Sequence, residues 1–258
     1  MDSSNIILNG DYSGKTLYEY FQYNKKRFHL DSYNEFPIVI ALVEANDSLS
    51  IQVHPDSHIA KILEGRPHGK NESWYFIESP TDGWIYNGCR CKDKSEVIDM
   101  ISNEETNKVV DHLSINNGDY VFIEAGTLHA LTKGSYIYEI EENCNLTYRL
   151  YDFDRKDDQG NSRELHIEKA IEALNTSKKS TPVKLMENTI KEERMYVLRR
   201  LESVTNYQNI SDTLECLTLI KGEFSEQEMF IRKGTSIILE PGECLSHFIE
   251  SAIVARPK

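Results

Sequence analysis

The sequence predicts a mainly β fold in two consecutive parts: a larger barrel of short strands with a helical insertion, then a smaller β-barrel or sandwich. Three observations predict it. Short segments rich in β-branched and aromatic residues recur along most of the chain. Gly118, Gly126 and Gly134 fall at the turns between several of them. A polar stretch from Asp154 to Asn161 and an amphipathic segment after it separate the two runs of strands.

In chain order, Thr16 to Tyr23 reads as a short helix, and Pro37 to Val43 as a buried strand carrying Ile38, Val39 and Ile40. Leu49 to His54 alternates as a second strand. Glu72 to Ile77 is aromatic-rich, and Trp84 to Tyr86 continues that hairpin beyond the turn signal Asp82-Gly83. Lys94 to Leu113 spaces Val97, Ile98, Ile101, Val109, Val110 and Leu113 among charged residues behind Ser95 as a cap, and reads as the helical excursion. Strands resume at Asp119 to Ile123, Ala130 to Leu131, Tyr136 to Ile140 and Thr147 to Tyr151, and Arg163 to Leu174 reads as a helix. These elements predict a first domain over residues 1–165 and a linker helix with a second β domain over 166–258. The strands of the second would be Arg194 to Leu201, Leu214 to Phe224, Met229 to Arg232 and Ser236 to Leu239, closed by Pro241-Gly242. His247 stands alone there among ligand types, so this part reads as a supporting barrel.

Composition narrows the class. With 39% apolar and 28% charged residues in 258, the chain is globular and long enough to bury a core without staples. No apolar run is long enough to span a membrane, and the N-terminus lacks the pattern of an export signal. Five cysteines are an odd number and fit a reducing cytoplasm. A formal charge of −13 excludes nucleic acid and anionic membranes as general partners. A phosphorylated substrate would therefore need its own local lysines and arginines.

Four side chains suggest a metal. On the strand Leu49 to His54, successive residues point to opposite faces, so Ser50, Gln52 and His54 share one while Leu49, Ile51 and Val53 share the other. Glu72 shares a face with Trp74 and Phe76, where a buried carboxylate needs a compensating cation. From Gly118 through Glu124 and Gly126 to His129, the spacing is similar to the second motif of the cupin superfamily, with Glu124 where proline is usual. There a strand ends in a glycine turn that returns a histidine to the barrel mouth. Two imidazoles, a carboxylate and an amide oxygen suit a catalytic divalent ion, zinc before iron, manganese or cobalt.

Five motifs in order then resemble a class I mannose-6-phosphate isomerase (phosphomannose isomerase) of the short bacterial type, over about Asn9 to Ala173. They are Leu49 to Asp56 (LSIQVHPD), Gly69 to Tyr75, Ala125 to Ala130, Thr147 to Asp152 and Arg163 to Ala170. The resemblance implies a cupin-like jelly-roll barrel and one zinc ion per chain bound by Gln52, His54, Glu72 and His129. It implies interconversion of mannose 6-phosphate and fructose 6-phosphate, with Arg149 as the active-site arginine and Ser50, Lys70 and Glu139 lining the sugar-phosphate pocket. Proton transfer through an enediol needs a base, for which Lys70, with its pKa lowered, and Glu139 compete.

Departures accompany the match. The family usually carries an additional N-terminal segment before the part matching Ile6 to Leu17, so the first barrel is expected to lack or rebuild strands and to offer an edge to a second copy, leaving a homo-oligomer open. Glu141 to Leu146 replaces a segment rich in glutamine, serine and aspartate-threonine in relatives, which bears on substrate preference. An iron-dependent cupin oxygenase and a non-catalytic sugar-binding or regulatory cupin are the competing readings, and the first leaves Lys70 and Arg149 unexplained. Cys89 and Cys91 are incidental, and His58 and His68 are expected in loops.

Overall fold

The computed structural model describes residues 5–226 and 229–258. They pack as two compact units, one of residues 40–185 and one of residues 1–39 with 186–258. The division expected at residue 165 therefore falls elsewhere, for two reasons. The helix Ile167–Ala173 buries Ala170 and Ala173 in an apolar layer with Ile51, Val53, Leu128 and Leu150, and the strand Val183–Lys184 pairs with Tyr120 and Asp119. At the other end, the helix Leu17–Asn24 places Tyr20 and Phe21 in a cluster with Phe28, Leu30 and Leu214. The Tyr20 hydroxyl also donates to Glu240 at 2.8 Å. This helix begins where expected because Thr16 and Glu19 form a reciprocal capping box.

The unit of residues 40–185 is a jelly-roll-like pair of five-stranded antiparallel sheets. One sheet has the order Ile38–Glu44, Tyr136–Glu142, Glu72–Glu78, Asp119–Ile123, Val183–Lys184. The other runs Val110–Ser114, Trp84–Cys89, His129–Ala130, Ile51–Val53, Tyr148–Tyr151. Trp74, Phe76, Val121, Ile123 and Ile137 of the first sheet pack with Ile85 and Leu113 of the second. Ile51, Val53 and Leu150 instead join Val97 and Ala170 from the helices Lys94–Ser102 and Ile167–Ala173, so that sheet is apolar on its helix-covered side.

Three local expectations are corrected. The helical excursion ends at Ser102 rather than Leu113: Glu104 turns the chain at φ 61°, and Val110–Ser114 pairs as a strand with Trp84–Cys89. Its cap is Asp93, whose carboxylate accepts from Glu96 N, rather than Ser95. His58 lies exposed on a helix, Ser57–Glu64, and not in a loop. Asp56 caps that helix and Gly65, at φ 64°, closes it in the left-handed conformation that glycine adopts without strain.

The other unit is also β, with sheet order Ile190–Glu192, Tyr196–Gln208, Cys244–Pro257, Glu215–Lys221, Ser236–Leu239 and a hairpin of Glu223–Glu226 with Met229–Arg232. Its central strand, Cys244–Pro257, lies beyond the point where the sequence reading closed the fold. The expected strand Leu214 to Phe224 is broken at Gly222, where a Cβ would come within 2.8 Å of Glu250.

Candidate metal centre

Three elements bring the predicted ligands together. Ile51 and Val53 are drawn into the apolar layer, which turns Gln52 and His54 to the opposite face. Glu72 opens the strand Glu72–Glu78 of the facing sheet. Gly126, at φ 90°, turns the chain so that its N–H donates to His54 O at 2.8 Å, and His129 follows in register with Gln52. His54, Glu72 and His129 are all buried, with His54 Nε2 3.0 Å from Glu72 Oε2 and His129 Nε2 3.3 Å from Glu72 Oε1.

The outer hydrogen bonds fix what these atoms present. His54 Nδ1 donates to Leu146 O at 2.8 Å and His129 Nδ1 donates to Thr127 O at 2.9 Å. A carbonyl only accepts, so each neutral ring keeps its proton on Nδ1 and aims the Nε2 lone pair at Glu72. His54 Nε2 and Glu72 Oε1 have no hydrogen-bond partner. Lone pairs facing a carboxylate in a buried site are costly unless a cation lies among them. The donor set thus fits a divalent metal, and the backbone carbonyls supply the orientation that metal-bound imidazoles need. Gln52 completes the set from the edge, its amide 3.4 Å from His129 Nε2. Burial, only partly offset by Glu72, pushes the His129 pKa down to about 4, which keeps that ring neutral and ligand-competent near pH 7.

Behind Glu72 lies a group of charges. The Lys70 ammonium is 3.2 Å from Glu72 Oε2 and also pairs with Glu141. Trp74 Nε1 donates to Glu139 Oε1 at 2.8 Å. Glu72, Glu139 and Glu141 can bring one oxygen each within 4.8 Å of one another. Burial would push the Glu72 carboxyl up, but the Lys70 ammonium beside it outweighs this and holds it below the usual range. Burial also disfavours the Lys70 charge, yet Glu72, Glu141 and Glu139 raise its pKa. That is opposite to the lowered value a basic lysine would need. Glu139, desolvated and beside Glu72 and Glu141, is pushed up to about 8.

A cavity of about 420 Å³ that includes Gln52 in its wall is also lined by Ser50, Thr147, Arg149, Arg163 and His166 among others. Lys70 and Glu139, expected to line the pocket, are not in its wall. Arg149 stands opposite Gln52 in the strand pairing, with its Nε unpartnered. The two acids that could have engaged it are occupied: Asp152 binds Arg155 and Arg163, and Asp154 accepts from Tyr151.

Comparison with known proteins fixes the relationship. Residues 1–78 match the family described as phosphomannose isomerase type I, catalytic domain. The chain is 38% identical over 173 residues to the mannose-6-phosphate isomerase of Streptococcus mutans and 36% identical over 173 residues to mannose-6-phosphate isomerase ManA of Bacillus subtilis. Each match takes in 67% of this chain and 54% and 55% of those proteins, so the chain spans about half the length of the curated relatives it matches. The crystal structure of mannose 6-phosphate isomerase from Bacillus subtilis superposes with a TM-score of 0.82 at 26% identity, covering 98% of this chain and 87% of that one. The chain belongs to the class I mannose-6-phosphate isomerase family.

Within this member of the class I family, three site residues escaped the motif reading. Glu141 reaches Lys70, and the alternation that puts Glu139 and Glu141 on one face of the strand Tyr136–Glu142 could have found it. Asn71 donates its side-chain amide to Glu142 at 3.0 Å and accepts from Ala125 N at 2.8 Å, tying the Glu72 strand to the glycine turn. His166 enters the cavity wall beside Arg149, and its N–H donates to Arg149 O at 2.8 Å. No periodicity pairs two residues seventeen positions apart.

Proposed function

We propose that this chain interconverts mannose 6-phosphate and fructose 6-phosphate, an aldose–ketose isomerisation through an enediol, with one divalent cation per chain. His54, Glu72, His129 and Gln52 would hold the cation, and zinc is the first choice for that nitrogen and oxygen set. One observation carries the reading: two oriented imidazole lone pairs and a carboxylate meet in a buried spot, with His54 Nε2 and Glu72 Oε1 unpartnered, and Gln52, beside His129, also lines a cavity bearing Arg149. Two arginines in that wall give an acidic protein a local binding place for an anionic sugar, which an oxygenase for apolar substrates would not need.

A divalent cation at this point would supply Lewis-acid polarisation of a sugar carbonyl. The side chains do the rest. Arg149 lines the cavity and would meet negative charge developing on the sugar oxygens. Ser50 and Gln52 carry hydrogen-bonding groups on the same wall. Neither acid–base candidate, Lys70 or Glu139, lies in the cavity wall, and the choice between them rests on which one exchanges a proton with the sugar. Lys70, paired with Glu72 and Glu141, acts as a fixed cation next to Glu72. Five free thiols, and no helix among the described residues long and apolar enough to cross a membrane, support work in a reducing cytoplasm.

The test is turnover of mannose 6-phosphate by purified protein, before and after chelation and after return of zinc. Chelator-sensitive formation of fructose 6-phosphate restored by zinc is the expected result. Turnover indifferent to chelation, or one bound zinc per chain with no turnover, would refute the reading.

A further inference from the structure

We propose that Glu141 is a positioning residue that holds the Lys70 ammonium against Glu72. The inference rests on the isomerase reading only for its catalytic consequence. Lys70 is almost wholly buried at 8% exposure, and its backbone is fixed: Lys70 N donates to Pro55 O at 3.1 Å. Gly69 before it packs so tightly on the same turn that a Cβ would come within 2.3 Å of Pro55 O. The side chain is another matter, because a four-carbon stem has several rotatable bonds and needs a partner at its tip. Glu139 instead accepts from the Trp74 indole N–H through Oε1, and the ion pairs of Lys70 are with Glu72 and Glu141.

Glu141 is placed for the task by strand pairing. It stands directly opposite Glu72 in the antiparallel register, so both carboxylates reach the same ammonium. That register is locked next door, where Glu142 N donates to Asn71 O at 3.0 Å and the Asn71 amide donates to Glu142 Oε1 at 3.0 Å. A cation held by Glu72 would repel the neighbouring ammonium, and the Glu141 carboxylate supplies the counter-charge that keeps Lys70 in place.

Charge and shape separate a positioning role from mere packing. Glu141→Gln keeps the shape and loses the charge; Glu141→Asp keeps the charge and shortens the stem. Lys70 exposure is read first, by reductive methylation of the cation-free protein and mass spectrometry of the peptide bearing Lys70. Lys70 should be modified several-fold faster in Glu141→Gln than in the parent, with Glu141→Asp between them and circular dichroism unchanged. Equal modification in parent and Glu141→Gln would overturn the proposal whether or not the protein is an isomerase. In the zinc-loaded enzyme, Glu141→Gln should lower kcat roughly tenfold at unchanged zinc content. In a Lys70→Met background the same substitution should lower kcat no further. An equal fall in that background would also overturn it. A parent without turnover whose Lys70 is nonetheless unmasked by Glu141→Gln would uphold the positioning role and refute the isomerase reading instead.

Discussion

Each of the two units buries a polar cluster, and the clusters differ in how their members are satisfied. In the unit formed by residues 1–39 and 186–258, Tyr207 donates to Glu215 at 2.6 Å and accepts from Arg199 at 2.5 Å, so cation, hydroxyl and carboxylate close on one another. In the unit of residues 40–185, His54, Glu72 and His129 converge with their acceptors facing inward, and two atoms go without a partner. A closed network specifies and stabilises a fold. An open one is costly unless something outside the chain completes it. Burial of polar residues does not by itself mark a site; unmet hydrogen-bonding capacity within a fixed geometry does. His247 follows the closed pattern, paired with Glu226 and stacked 4.5 Å from Phe224.

Breaking the open cluster should have the largest effect. His54→Ala and Glu72→Ala should each lose the bound cation, read by metal analysis after dialysis, with turnover falling to that of the chelated parent. Arg149→Ala should come next, with kcat lower by on the order of a hundredfold and metal content retained. Parallel loss of both would mean that Arg149 supports the fold or the ligands and not the substrate.

A pH effect sharpens the comparison at intermediate size. His129 is held by burial at about 4 against an ordinary 6.5. Between those values the unfolded chain binds a proton that the folded chain refuses, so stability falls as pH drops from about 6.5 toward 4. Urea titrations of the cation-free protein should show this slope, and His129→Gln should flatten it. The smallest effect is expected in the closed network. Tyr207→Phe should cost about 1 to 3 kcal/mol by leaving Glu215 unsatisfied, without touching metal content.

Much of the open cluster was legible because strand geometry turns sequence into faces. Alternation in Leu49 to His54 separated Gln52 and His54 from Ile51 and Val53, and the spacing from Gly118 to His129 located the returning histidine. What stayed hidden depended on contacts between distant residues. Tyr20 and Phe21 pack with Leu214, so the N-terminal helix joins the second unit, and nothing local to residues 1–39 says so. The strand Cys244–Pro257 buries Ser251, Ala252 and Ala255 in the middle of a sheet. Those small side chains break up the β-branched signal of Ile249, Ile253 and Val254 in the same strand. The reach of Arg149 and His166 into one cavity came from a shared backbone pairing that motif order lists but does not explain.

On this reading the side chains of His54, Glu72, His129 and Gln52 converge to hold one divalent cation. An anomalous difference map from crystals of zinc-loaded protein, collected across the zinc absorption edge, tests it directly. One peak per chain within bonding distance of His54 Nε2, His129 Nε2 and a Glu72 oxygen is predicted. A map with no peak there, or with zinc bound only elsewhere on the chain, would contradict the account.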